Sequence, residues 1–314
     1  MKIACIGEAM IELSLANDDA SRATVGFAGD TLNTAVYLQR ELESAKTADQ
    51  HSVHYVTAIG TDSFSDKIMD LMSLENLKTD YVQRVTDRVP GMYAISIDSV
   101  GERSFTYWRD QSAARTLFSN DTGPEFRSLM EFDLIYYSAI SLAILPDKIK
   151  QQWLEFLHGF RQQEGKCVAF DSNYRPRLWG SQAHAQQYTK AAYAQCDIAL
   201  PSIDDEMSLF NDQSKGNTID RLASYGISCG ALKCGASGVI DLEDPVSVRE
   251  LPMLKTVVDS TAAGDSFNGA YLAARIMDKS SDNCIAAGHN CAMAVVSFPG
   301  GIIDRTTWNN RTVA

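Results

Sequence analysis

Rhythm constrains this chain more than any single motif. Short apolar runs, each stopped by Gly, Asp or Ser, alternate with longer stretches of helical spacing. Residues 2–6 form a compact strand halted at Gly7, and residues 53–59 another, followed by Gly60, Thr61 and Asp62, which suit a turn and a helix cap. Residues 134–138, 167–170, 198–200 and 231–233 repeat the pattern. Between them, residues 31–42, 64–74, 148–163, 182–195 and 218–225 read as helices; in the first, Leu32, Ala35, Val36 and Gln39 track one side. Such alternation predicts an α/β fold, a mostly parallel sheet covered by helices on both faces. Ligands on such sheets collect outside the carboxyl ends of the strands.

One stretch breaks the rhythm. From Gly91 to Arg109, two alternating runs flank Asp98-Ser-Val-Gly101, a turn sequence, so a β-hairpin is expected rather than a strand–helix unit. Residues 11–27 also lack helical period. The two segments, about 11–27 and 90–110, are expected to form a small β lid on a single domain spanning 1–314. The alternative is an edge hairpin with no part in chemistry.

Charge narrows the partners. With 28 basic against 40 acidic residues the net charge is -12, a field that repels nucleic acid and anionic membrane surfaces. An anionic small molecule needs only a local cluster of Arg or Lys. The seven cysteines are scattered, odd in number and free of CxxC pairs, which reads as reduced thiols rather than a disulfide framework. The apolar N-terminus is broken by Glu8 and Glu12 and fails as a secretion signal, and no membrane-length apolar run occurs. A soluble, cytoplasmic protein is expected.

The most informative segment is Val258-Asp-Ser-Thr-Ala-Ala-Gly-Asp-Ser-Phe-Asn-Gly-Ala-Tyr-Leu272. Ala262, Ala263 and Gly264 lead into a helix whose apolar face is Phe267, Ala270, Tyr271 and Ala274. A helix entered through small residues offers unshielded N–H groups and partial positive charge to a phosphate. Asp265 on the first turn would repel that phosphate in a simple binder. It makes sense as a base that takes a proton from an attacking hydroxyl; a helix cap is the plainer alternative.

Here the sequence resembles the ribokinase-like (PfkB) family of carbohydrate kinases, whose signature D-T-x-G-A-G-D appears as Asp259-Ser-Thr-Ala-Ala-Gly-Asp265, with Ser260 and Ala262 as departures. Gly26-Phe-Ala-Gly-Asp-Thr-Leu-Asn-Thr-Ala-Val36 resembles the family's G-G-x-x-x-N-x-A, with Ala28 for the first glycine. GDTLNTAVYL, GTDSFSDK, YWRDQSAAR, FDSNYRPRLW and DSTAAGDSF are together similar to the 2-keto-3-deoxygluconate kinase branch, from about Ile3 to Ile303.

The resemblance implies a ribokinase-like three-layer α/β/α fold and phosphoryl transfer from ATP, with Mg2+, to the C6 hydroxyl of 2-dehydro-3-deoxy-D-gluconate. It implies Asp265 as base and the amides of Ala262, Ala263 and Gly264 as the anion hole, with Ala262 and Gly264 also on ATP. It carries Lys233, Gly235 and Gly238, of Lys233-Cys-Gly-Ala-Ser-Gly238, to the nucleotide. The family's N-x-x-E element falls on Ser202 to Asp205, which leaves Asp205 or Glu206 to hold magnesium through water. Gly29, Asp30, Asn33, Tyr93, Tyr107, Arg109, Asn173 and Arg175 are expected on the sugar acid. Two guanidiniums near one pocket ask for a carboxylate, because the Arg fork matches its two oxygens. Pairing of subunits through lid strands is a further expectation. Open alternatives are another sugar kinase, such as a fructokinase, and a non-catalytic sugar-acid or nucleotide sensor.

Overall fold

The computed structural model describes residues 1–16, 21–97, 103–119, 124–246, 248–249, 251–252 and 256–311. The chain opens with β1 (Lys2–Ile6), runs out through β2 (Met10–Leu15) and β3 (Ala23–Ala28), and returns as α1 (Asp30–Ser44), β4 (Ser52–Ile59), α2 (Ser63–Leu74) and β5 (Val82–Arg84). It leaves again as β6 (Gly91–Ile97) and β7 (Arg103–Trp108). Strand and helix then alternate: β8 (Leu134–Ser138), α3 (Ala139–Ile144), α4 (Asp147–Arg161), β9 (Cys167–Asp171), α5 (Gln182–Tyr193), β10 (Ile198–Ala199), α6 (Ile203–Phe210) and α7 (Lys215–Ser224). Last come β11 (Ala231–Lys233), β12 (Val239–Asp241), β13 (Val248–Arg249), α8 (Ala263–Ile276), α9 (Ser281–Val295) and α10 (Arg305–Asn309).

Six strands pair in the order β10-β9-β8-β1-β4-β5, every pair parallel. Parallel bridges from Ala199 to Gly230 and from Ser202 to Lys233 carry β11 on beyond β10, followed by antiparallel β12 and β13. The continuous apolar strands have a direct cause: both faces are covered. In β1, Ile3 and Cys5 face the core under α1, α2, α8 and α9, while Ala4 and Ile6 face the core under α3, α4 and α5. β8 divides the same way, Leu134 and Tyr136 to one side, Ile135 and Tyr137 to the other. Asp62 caps α2 as its sequence suggested, accepting from the Phe64 and Ser65 amides. The short β5, α3, α6 and β12 were not legible, being too brief to develop a period.

The hairpin is real, with Tyr93 opposite Tyr107 and Met92 opposite Trp108; its Asp98-Ser-Val-Gly101 turn lies outside the described residues. Residues 11–27 supply β2 and β3. Together the four strands form a separate sheet, ordered β3-β2-β6-β7, in which β2 and β6 run parallel. β2 follows β1 after only Gly7, Glu8 and Ala9, so the small sheet is rooted at the carboxyl end of the main one. All seven cysteines are free thiols, and no helix among the described residues is long and apolar enough to cross a membrane.

Candidate active site

A cleft of about 1200 Å³ opens where the carboxyl ends of the main strands meet the small sheet and the tip of α8. The tip is shaped by Asp259. Its Oδ1 accepts the Thr261 amide and its Oδ2 the Gly300 amide, each at 2.8 Å, which folds residues 259–262 into a turn. Ala262 then starts the helix from a left-handed conformation, φ 60° and ψ 14°. Ala262, Ala263, Gly264 and Asp265 all line the cleft. The expected ring of bare amides is corrected in one place: the Ala263 N–H already donates to the Ser260 carbonyl at 3.3 Å.

Asp265 is fixed from α1. Asn33 Nδ2 donates to its Oδ2 at 2.8 Å, and Thr34 Oγ1 to its carbonyl at 3.1 Å. The residue is therefore no mere helix cap. Withdrawal from water at the foot of the cleft pushes its carboxyl up to about 8, Asp30 and Asp171 add to the rise, and the Asn33 hydrogen bond and Lys233 oppose it.

Lys233, at the end of β11, reaches under this tip. Its Nζ lies 2.9 Å from Asp171 Oδ2 and 2.9 Å from Asn268 Oδ1, and Asn268 Nδ2 returns to Asp171 Oδ2 at 2.6 Å. This lysine, placed by sequence along the nucleotide, thus sits at the junction of three elements beside Asp265. Gly235 and Gly238 lie on the turn between β11 and β12, outside the cleft lining. Asp30 is also braced rather than free, accepting from Asn173 Nδ2 at 2.9 Å and Ser138 Oγ at 2.5 Å. Gly29 does line the cleft, but its missing side chain has another cause: a Cβ there would stand 2.1 Å from the Glu8 carbonyl oxygen.

The acidic candidates separate. Glu206 is fully buried, held by Tyr193 at 2.5 Å and Arg221 at 2.8 Å, so the expectation of a magnesium role for it is corrected. Asp205, on the same turn of α6 but the other side, lines the cleft. Burial raises its carboxyl to about 6, with Arg175 opposing. No cluster of three metal-ligating side chains exists among the described residues. A cleft-facing carboxylate such as Asp205 suits magnesium, which keeps several waters and binds chiefly to phosphate oxygens.

At the far end the small sheet delivers Tyr93, Tyr107 and Arg109. Tyr93 is buried and donates to Glu12 Oε2, its ring 5.8 Å from that of the exposed Tyr107. Arg109, buried, is ion-paired with Glu8. Arg175, at the mouth, bonds the Tyr174 carbonyl at 2.8 Å and Asp205 at 3.3 Å. Arg177 lines the same mouth. Sequence reasoning missed Glu8, Glu12, Asn268 and Asp171; the signal available was that Glu8 and Asp171 follow or end strands whose carboxyl ends gather ligands.

A parallel sheet between two helical layers, with a second sheet over the tip of α8, defines a ribokinase-like α/β kinase fold. The chain belongs to the PfkB family: the model described as pfkB family carbohydrate kinase matches residues 1–308. It is 42% identical over 309 residues to an Escherichia coli protein named 2-dehydro-3-deoxygluconokinase, covering 97% of each chain. A Dickeya dadantii protein of the same name is 42% identical over 306 residues, 96% of each. Among solved structures, a putative ribokinase II from E. coli in complex with ATP and Mg2+ aligns with a TM-score of 0.79 at 16% identity, over 96% of this chain and 94% of that one.

Proposed function

We propose that this chain is a sugar-acid kinase that moves the γ-phosphoryl group of ATP to the C6 hydroxyl of 2-dehydro-3-deoxy-D-gluconate. One observation carries the reading: Asp265 on the α8 tip and Arg109 line a single cleft. The name shared by relatives of about 42% identity supports the substrate.

In this reading ionised Asp265 takes the proton of the attacking hydroxyl, held in orientation by Asn33. The oxygen–phosphorus bond forms as the bond to ADP breaks. Lys233 and the backbone of Ala262 and Gly264 face the charge on the transferring group. Gly235 and Gly238 follow the nucleotide further out. Magnesium, when bound, supplies positive charge to the phosphate oxygens, and Asp205 is the residue to hold its waters. Gly29, Asp30, Tyr93, Tyr107 and Asn173 contact the sugar and Arg109 takes its carboxylate, while Arg175, paired with Asp205, faces the phosphate side. The small sheet acts as a lid that excludes water as a competing acceptor.

One observation favours a neutral sugar instead: Glu8 already neutralises Arg109. A coupled kinase assay with the keto-deoxy acid, fructose and ribose decides. The acid should lead in kcat/KM by on the order of 10²-fold, the discrimination a site built around a charged partner can reach. A lead for fructose would replace the acid reading.

A further inference from the structure

Asn268 is a fully buried amide on α8, in a stretch where Phe267, Ala270, Tyr271 and Leu272 are buried too. An apolar residue would fill the space without the cost of taking an amide out of water. The amide is instead spent in full. Its Oδ1 accepts from Lys233 Nζ at 2.9 Å, and its Nδ2 donates to Asp171 Oδ2 at 2.6 Å and to the Tyr136 hydroxyl at 3.1 Å. Lysine only donates and an ionised carboxylate only accepts, so the amide cannot be turned round. Asp171 is held in turn, its Oδ1 accepting the Asn173 amide at 3.1 Å.

Asn268 stands three positions after Asp265, so the two share a face of α8, and one helix carries both the base and the anchor of the lysine. Lys233 Nζ lies close under the helix tip, where a Cβ at Gly264 would stand 3.5 Å from it. Thr34 of α1 closes the network: its Oγ1 lies 3.2 Å from the Tyr136 hydroxyl and donates to the Asp265 carbonyl at 3.1 Å. Hydrogen bonds thus run from the lysine through Asn268, Tyr136 and Thr34 to the backbone of the base. The ammonium has three N–H donors, and two are taken by fixed acceptors, Asp171 and Asn268. Those two bonds set the direction of the third, and Lys233 lines the cleft. Asp171 alone would not set it. A lysine is a compact charge on a flexible stem, and with one acceptor it would be free to swing toward Asp265 and occupy the base.

We propose that Asn268 is a positioning residue for phosphoryl transfer: by holding Lys233 Nζ against Asp171 it aims the remaining N–H at the transferring phosphoryl group and keeps the ammonium off Asp265. This rests on the reading of the cleft as a site of phosphoryl transfer with Asp265 as base, and not on which sugar is the acceptor.

The test starts with wild-type turnover of ATP with the keto-deoxy acid, fructose and ribose. That arm judges the acid reading alone, and the remaining arms use whichever sugar leads. Full-length N268A, Y136F and K233M, with the double variants N268A/K233M and Y136F/K233M, are then compared for kcat, both KM values and the urea midpoint. K233M should lower kcat on the order of 10²–10³-fold, the loss of one donor to the developing charge. N268A should lower kcat on the order of 10- to 100-fold, the cost of a misplaced group, with both KM values within about twofold. Y136F, which removes one oxygen and keeps the ring in place, should lower it about threefold, and it carries the test where N268A folds poorly. In the K233M background the same two substitutions should change kcat by less than about twofold, because they act through the lysine. An equal loss in both backgrounds, or an unchanged kcat in either folded single variant, would overturn the proposal.

Discussion

The two ends of the cleft are built on different plans. The α8 end is assembled from one contiguous string, residues 259–265, braced by α1, β9 and β11, elements of the main core. The far end is assembled from distant residues: Glu8 meets Arg109 across 101 positions and Glu12 meets Tyr93 across 81. Its sheet is also lightly clad, with Phe105 37%, Tyr107 43% and Trp108 54% exposed. In the proposed reading, groups that hold the reacting geometry sit on doubly covered elements, whereas groups that meet the sugar sit on a more exposed sheet. The strongest way to break that division is Asp265→Asn. It should cut kcat roughly 10²–10⁴-fold with KM for the sugar little changed. Near-normal turnover in a folded variant would remove the base from the α8 end.

The same substitution has a stability signature. The folded-state pKa of Asp265 is raised above its unfolded value by burial and by Asp30 and Asp171. Stability from this group is therefore complete below the unfolded value and declines as pH rises toward the folded one. Asp265→Asn should match wild type near pH 4 and become the more stable protein above pH 8, read by urea midpoints at both values. A site that costs stability to hold a carboxylate away from water is the expected mark of chemistry.

Next in size is Arg109→Ala. It deletes the proposed carboxylate contact and strands Glu8 as a buried, unpaired charge. KM for the keto-deoxy acid should rise on the order of 10- to 100-fold, with KM for ATP within about twofold. Equal changes in both constants would show that the two ends are not separate in function.

The same contrast explains what could be read in advance. The main sheet was legible because two buried faces impose continuous apolar strands, as in residues 2–6 and 134–138. The α8 tip was legible because its parts are contiguous. Glu8 was not, because in sequence it is merely a charge that interrupts an apolar run; its partner, Arg109, lies 101 positions away. Glu206 misled for the complementary reason. It stands next to Asp205, but neighbours on a helix point about 100° apart, and that rotation carries it to Arg221 instead of the cleft.

A smaller effect concerns pH. Only the ionised carboxylate of Asp265 can accept a proton, so kcat/KM should climb on the acid side through its raised pKa and level above it. Each pH unit below that point costs about tenfold. A flat profile across that range would remove Asp265 as the titrating base.

The smallest effect expected is at Ala262. This residue starts α8 with φ 60°, a left-handed conformation that costs a residue with a Cβ about 1–2 kcal/mol and glycine almost nothing. Ala262→Gly removes that cost but gives the unfolded chain more freedom, which returns about 0.4–1 kcal/mol. The net expectation is stabilisation of about 0.5 kcal/mol, seen as a small rise in the urea midpoint. The methyl also lines the cleft, so its loss should lower KM for ATP slightly and leave KM for the acid alone. A loss of stability instead would mean that the methyl packs productively against the Gly301 segment, and that the tip is held by contacts rather than by the Asp259 turn alone.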